Sequence, residues 1–142
     1  LFSLMCLPVD RSSKEARHAS KVRMLSDLKQ GISIFLFPEG TRNRTKEPLL
    51  PFFDGAFELA IDAKVPILPV MLTNLRKLNK VDTLLLQPGI LEVTHLPAIS
   101  TDGYTIENLE KLKLIVRQKM EAFLVEHDEY FKPLARTSTS SV

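Results

Sequence analysis

The stretch Gly31-Ile32-Ser33-Ile34-Phe35-Leu36-Phe37-Pro38-Glu39-Gly40-Thr41-Arg42 decides the predicted fold. Its first half is apolar and rich in β-branched and aromatic residues, which predicts a buried strand over residues 32–37. Pro38 ends that strand, and a carboxylate, a glycine, a hydroxyl and a guanidinium follow directly. Because open α/β sheets bind ligands at the carboxyl ends of their strands, the stretch predicts a ligand site there.

The residues after the predicted strand suit an anionic ligand. Gly40 allows the backbone to approach a ligand closely, and Thr41 offers a hydroxyl and an amide. Arg42 presents a planar fork that matches phosphate or carboxylate oxygens. The pattern therefore predicts an anion site.

A similar arrangement is predicted at the start of the chain. Residues 2–9 are mostly apolar and indicate a second strand, which delivers Asp10 and Arg11. A helix over 13–29, capped by Ser12, is expected to bury one stripe of apolar residues that recur at three-residue steps: Ala16, Ala19, Val22, Leu25 and Leu28. This helix would connect the two strands as a right-handed parallel crossover. We therefore expect Arg11 and Arg42 to lie at the same sheet edge.

The same alternation of apolar runs and helical stripes continues along the chain. A helix over 54–63 capped by Asp54 precedes a strand over 66–72, and a further strand is predicted at 90–96. The last predicted helix runs from Ile106 to about His127, with Thr105 as its cap. We therefore expect an α/β fold, with a mainly parallel sheet flanked by helices.

Two segments are expected to be irregular. Residues 43–53 form a loop whose apolar end, Leu49-Leu50-Pro51-Phe52-Phe53, either packs into the core or lines an apolar channel. Residues 133–142 are polar and are expected to be a disordered tail that follows one domain over 1–132.

Composition excludes several classes of protein. The chain has 142 residues, 44% hydrophobic and 25% charged, which suits one globular domain, and its net charge of +2 is too small to argue for nucleic acid. With one cysteine, Cys6, it can form neither an internal disulfide nor a cysteine-ligated metal site, and no metal is predicted. No apolar run is long enough to span a bilayer. Because the sequence begins at Leu1 within a predicted strand, we expect it to be incomplete at its amino terminus.

The charge is unevenly distributed. Basic residues outnumber acidic ones between residues 11 and 29, which favours anionic ligands or an anionic membrane surface. The alternative is a helix face that is simply solvated. The basic residues are Arg11, Lys14, Arg17, Lys21, Arg23 and Lys29.

The segment Phe37–Arg42, F-P-E-G-T-R, resembles a conserved block of the glycerolipid acyltransferases without a substitution. Two flanking segments resemble neighbouring blocks in the same order: Leu7–Arg11, L-P-V-D-R, and Val65–Val70, V-P-I-L-P-V. The resemblance covers about the first half of the chain. It implies an acyltransferase fold, and an apolar third block that packs as a strand or walls an acyl channel.

The resemblance also implies roles for individual residues. Arg42 would bind the phosphate of a glycerophosphate acceptor, helped by Gly40 and Thr41, and Arg11 would add a second positive group. The role of Glu39 stays open: it could fix the Arg42 guanidinium, bind an acceptor hydroxyl, or satisfy loop amides.

The catalytic base implied by the resemblance is a histidine with an aspartate five positions later. His18, His95 and His127 are followed at that distance by Arg23, Ser100 and Lys132. We therefore predict no catalytic residue in this sequence, which would supply the phosphate-binding half of the site and be inactive alone.

The implied function is transfer of a fatty acyl group from acyl-CoA or acyl-carrier protein, as co-substrate, to the lysophospholipid 1-acylglycerol-3-phosphate. No other cofactor is expected, and the protein would be membrane-associated at the cytoplasmic face. The alternative is a non-catalytic module that binds anionic lipids. A phosphate-binding nucleotide enzyme ranks last, since there is no Gly-x-x-x-x-Gly-Lys element.

Overall fold

A computed structural model describes residues 13–78 and 88–131 of the chain. Its contacts divide the chain into two compact units, Leu1–Leu36 and Phe37–Val142, which are described separately. The predicted strand over 2–9, with Asp10, Arg11 and Ser12, lies outside the described residues, as does the predicted tail over 133–142.

The first unit contributes helix α1, Lys14–Lys29. Its amino-terminal cap is Ser13, whose Oγ accepts a hydrogen bond from the Ala16 N–H at 3.0 Å. The prediction of Ser12 as the cap is therefore wrong by one residue. The helix ends as predicted before Gly31, which has a φ of 79°, a conformation that favours glycine.

The predicted buried stripe on α1 is also wrong. It consisted of Ala16, Ala19, Val22, Leu25 and Leu28, none of which is buried, and Ala19 and Val22 are exposed. A strict three-residue step falls about 60° short of a full turn, so five such residues spread around the helix. A buried face needs alternating steps of three and four residues.

Residues 32–37 carry neither helix nor strand within the described part of the chain. Their expected neighbour in the sheet, residues 2–9, lies outside it. The parallel crossover between the two segments, and with it the mainly parallel sheet, therefore stays a prediction.

The second unit contains the remaining elements. In chain order these are α2, Gly55–Ala63; β1, Val70–Thr73; α3, Leu75–Leu78; β2, Glu92–His95; a short 3₁₀ helix, Ile106–Asn108; and α4, Leu109–His127. The predicted helices over 54–63 and from Ile106 to about His127 are confirmed.

Strands β1 and β2 form an antiparallel pair in which Val70 faces His95 and Thr73 faces Glu92. A single antiparallel bridge between Ile67 and Ile99 continues the pairing. Within residues 13–78 and 88–131 this is the only sheet. The predicted strands over 66–72 and 90–96 overlap β1 and β2.

The core of the second unit is built on α4. Its buried residues follow steps of three and four, which place them on one face against α2 and β1. They are Leu109, Leu112, Val116, Met120 and Leu124. Phe57 of α2 and Met71 of β1 join this cluster.

The apolar end of the 43–53 loop divides between core and surface. Leu49 and Phe52 are buried in the cluster, where the Phe52 and Phe57 rings stack with centroids 6.0 Å apart. Phe53 is 66% exposed. Of the two alternatives, core packing therefore applies to Leu49 and Phe52.

Candidate anion-binding site

The segment after Phe37 forms a tight turn at the start of the second unit. The Gly40 N–H donates to the Phe37 carbonyl at 3.1 Å, and Gly40 has a φ of 64°. A positive φ costs glycine little and most other residues more. Gly40 is therefore required by the turn itself, in addition to any role beside a ligand.

Glu39 joins this turn to the segment that enters the core. Its Oε2 accepts a hydrogen bond from the Leu50 N–H at 2.8 Å, and the Pro38 carbonyl accepts one from the Phe53 N–H at 2.9 Å. Phe52 lies between those two donors and is buried. Of the three roles left open for Glu39, satisfying a loop amide is the one that this geometry displays.

Thr41 and Arg42 follow on the surface. Both are exposed, and neither has a hydrogen bond or ion pair with any residue in 13–78 or 88–131. The five donors of the Arg42 guanidinium are thus not occupied by described protein groups. This is the condition for binding the oxygens of an external anion.

The loop that continues from Arg42 is folded around Asn43. The Asn43 Nδ2 donates to the Glu47 carbonyl at 2.9 Å, and its Oδ1 accepts from the Thr45 N–H at 2.9 Å and hydroxyl at 2.8 Å. The Thr45 hydroxyl oxygen accepts from the Glu47 N–H at 3.2 Å. Asparagine commonly organises turns in this way.

Two distant arginines hold the same loop from outside. Arg76 of α3 donates from Nη1 to the Thr45 carbonyl at 2.6 Å and from Nη2 to the Glu47 carbonyl at 3.1 Å. Arg117 of α4 donates from Nη2 to the Leu49 carbonyl at 3.3 Å. Neither arginine is recognisable from sequence as part of the loop, because no local pattern links it to residues 29 to 68 positions away.

The remaining candidates from the sequence are Arg11 and the three histidines. Arg11 lies outside the described residues, so its convergence with Arg42 stays a prediction. His18, His95 and His127 are all exposed. The His127 ring stacks on Phe123 with centroids 4.1 Å apart, which accounts for it as a helix-surface residue.

Two further features, a metal-ion cluster and a membrane-spanning helix, are absent from the described residues. No group of three or more His, Cys, Asp or Glu side chains in 13–78 and 88–131 is arranged to hold a metal ion. Over the same residues, no helix combines the length and apolar character needed to cross a membrane.

The described residues thus form a braced glycine turn followed by an exposed guanidinium that has no partner within 13–78 or 88–131, as the predicted anion site requires. Residues 1–73 of the sequence match the Acyltransferase family, and the chain belongs to that family. The match includes the turn, Arg42 and the whole of the loop described above.

Named relatives agree with this assignment. The chain is 37% identical over 124 residues to the 1-acyl-sn-glycerol-3-phosphate acyltransferase of Salmonella typhimurium, covering 87% of this chain and 49% of the relative. It is 38% identical over 94 residues to 1-acyl-sn-glycerol-3-phosphate acyltransferase alpha of Mus musculus, covering 66% of this chain and 33% of the relative. It is 31% identical over 136 residues to the 1-acyl-sn-glycerol-3-phosphate acyltransferase of Limnanthes douglasii, covering 94% of this chain and 46% of the relative.

The chain therefore spans less than half the length of each of these three relatives. No solved structure matches it.

Proposed function

We propose that this chain is part of an enzyme that transfers a fatty acyl group from acyl-CoA or acyl-carrier protein to 1-acylglycerol-3-phosphate, producing phosphatidic acid. Membership of the Acyltransferase family supports the reaction class. The acceptor is suggested by the names of the relatives. The role proposed for this chain is to bind the phosphate of the acceptor.

The observation that carries the proposal is the exposed Arg42 beside a turn held by three hydrogen bonds. Because the turn is already formed, little ordering free energy is lost when an anion binds. The guanidinium can donate two parallel hydrogen bonds to phosphate oxygens, while Thr41 can add its hydroxyl. Arg11 is proposed as a second positive group at the same phosphate.

The chemistry requires a base that this sequence does not supply in the expected form. The acceptor hydroxyl attacks the thioester carbonyl carbon and loses its proton to the base; the new C–O bond forms, the C–S bond breaks, and the thiol leaves with a proton. Such a base contributes about 10²–10⁴-fold. We propose that a His-x-x-x-x-Asp block outside this sequence provides it.

Association with the cytoplasmic face of a membrane is part of the proposal, since the acceptor is a lysophospholipid. Arg17, Arg23 and Lys29 are exposed on α1 and would be attracted to anionic lipids. This attraction should weaken as the ionic strength rises.

The test compares rates of acyl transfer to 1-acylglycerol-3-phosphate in detergent or vesicles, with each acyl donor. Three proteins are used: this chain, a longer protein that carries the upstream block, and that longer protein with the block's histidine changed to alanine. We expect activity only in the second.

Two results would contradict the proposal. Equal turnover by this chain and the longer protein would place the base within residues 1–142. Vesicle binding without turnover by the longer protein would instead favour the alternative, a non-catalytic module for anionic lipids.

A further inference from the structure

Arg76 connects two parts of the second unit that are distant in sequence. The edge of its guanidinium donates to the carbonyls of Thr45 and Glu47, at 2.6 and 3.1 Å. Its carbon Cζ lies 5.1 Å from the ring centroid of Tyr130 and 5.0 Å from that of Phe131. One side chain thus links the loop after Arg42 to the turn that follows α4.

That turn is itself anchored by a buried carboxylate. Asp128 is 4% exposed; its Oδ1 accepts from the Tyr130 N–H at 2.9 Å, and its Oδ2 accepts from the Asn74 N–H at 3.1 Å. Phe131 is 2% exposed and belongs to the core. Asp128 therefore holds the residue before α3 and the aromatic turn at once.

These contacts determine where Arg76 lies. Helix α3 has only four residues, which is too short to be stable by its own hydrogen bonds. Its position must come from tertiary contacts such as the Asn74 to Asp128 hydrogen bond. The two aromatic rings add a cation–π attraction to the guanidinium, whose two terminal nitrogens both reach the loop.

We propose that Arg76 is a positioning residue for the acceptor site. By fixing the carbonyls of residues 45 and 47, it holds the loop over 43–50 in the one arrangement in which Arg42 meets the acceptor phosphate. The turn Asp128–Phe131 thereby contributes to acceptor affinity without touching the acceptor. This inference rests on the proposed function, in which Arg42 binds that phosphate.

The effect of Arg76 on acceptor affinity depends on how often the loop over 43–50 adopts its binding arrangement. Arg42 directly precedes Asn43, whose side chain bonds to the same two residues that Arg76 holds. The two hydrogen bonds from Arg76 to the carbonyls of Thr45 and Glu47 are called the clamp below. Without the clamp, the loop would occupy the binding arrangement for only a fraction of the time. The apparent dissociation constant of the acceptor rises in inverse proportion to that fraction, whereas the chemical step of a bound acceptor does not change.

The first measurement is amide hydrogen exchange of the full-length protein, which needs no activity. In Arg76→Ala we expect the amides of Thr45, Glu47 and Leu50 to exchange about 5- to 20-fold faster than in the wild type, since local opening is more frequent. Arg76→Lys keeps the charge but cannot donate from two fixed nitrogens. Its exchange rates at these amides should therefore lie between those of the wild type and those of Arg76→Ala. Lys119→Ala, which removes an exposed cation of α4, should leave the exchange rates of these amides unchanged.

The second measurement is steady-state kinetics of the same variants with 1-acylglycerol-3-phosphate in vesicles. We expect Arg76→Ala to raise the acceptor KM by about 5- to 20-fold with kcat close to the wild-type value, and Arg76→Lys to restore part of it. Tyr130→Leu should also raise the acceptor KM, but by a smaller factor than Arg76→Ala does. The KM for the acyl donor should stay constant in all variants.

The outcomes separate the clamp from the proposed function. Unchanged exchange in Arg76→Ala would overturn the clamp, and faster exchange with an unchanged acceptor KM would overturn the positioning role. If Arg76→Ala does not fold, the same two criteria apply to Arg76→Lys. If the longer wild-type protein that carries the upstream block is inactive, the proposed function is overturned and with it the positioning role, while exchange would still decide whether Arg76 holds the loop.

Discussion

The carboxylate of Glu39 accepts a hydrogen bond from the main-chain N–H of Leu50 at 2.8 Å. This contact spans eleven positions of sequence and closes the loop that begins with Arg42. A carboxylate is a stronger acceptor for an amide than a neutral oxygen is, because the bond is charge-assisted. Glu39 thus has a structural role next to the residue that we propose to bind the ligand.

Changing Glu39 should therefore affect stability first. In Glu39→Gln a neutral oxygen still accepts the bond, and we expect the free energy of unfolding to fall by about 0.5–1.5 kcal/mol. In Glu39→Ala the half-buried Leu50 amide loses its acceptor, and the loss should be about 1–3 kcal/mol. Urea unfolding measures both. A Gln variant of wild-type stability with a raised acceptor KM would show instead that Glu39 binds the acceptor.

Arg42→Lys should weaken acceptor binding although it keeps the charge. An ammonium cannot reproduce two parallel hydrogen bonds to phosphate, and the loss of one charged hydrogen bond costs about 1.5–3 kcal/mol, or about 10- to 150-fold in kcat/KM for the acceptor. Stability should not change, since Arg42 has no partner among the described residues.

The measurement for Arg42 is kinetics of the full-length enzyme with varied 1-acylglycerol-3-phosphate. Arg44→Lys, which makes the same charge-conserving exchange at an exposed arginine two residues away, is the matched control. An acceptor KM and kcat equal to the wild-type values would show that Arg42 does not bind the phosphate.

Lys113 should make a pH-dependent contribution to stability. Its Nζ lies 2.6 Å from the Asp54 Oδ1 and 2.8 Å from the Glu110 Oε1, and these contacts, the Asp54 hydrogen bond foremost, raise the pKa of Lys113. A raised pKa in the folded state means that the contribution is fully present below the unfolded pKa of about 10.4. It is lost as the pH rises through the folded pKa.

The corresponding variant is Lys113→Met. Asp54 and Glu110 are 54% and 79% exposed, so solvent screening keeps the expected loss of stability at pH 7 to about 1 kcal/mol or less. Urea unfolding at pH 7 and above about pH 11 should show the difference from the wild type shrinking in alkali, with Lys111→Met as the control. A difference that is independent of pH would show that only packing of the aliphatic stem was lost.

The spacing of apolar residues predicted the helices whose buried face repeats at helical intervals. The steps of three and four apolar residues along α4 and the short amphipathic segment of α2 were sufficient to identify both helices. On α1 the same approach identified the helix but not its exposure, because apolar residues at strict three-residue steps do not lie on one face. Pairing of β1 with β2 could not be derived in this way, because register depends on contacts between segments about 20 residues apart.

By itself the sequence determined the motif Phe37–Arg42 and the family, because these depend on residue types at fixed short spacings. Only the tertiary structure decided that Glu39 binds the Leu50 amide and that Arg76 and Arg117 hold the loop. It also decided that Asp128 is buried between two main-chain donors. The physical reason is that a charged side chain meets its hydrogen-bond partner only when the chain has folded, and the sequence spacing of the two groups does not reveal the pairing.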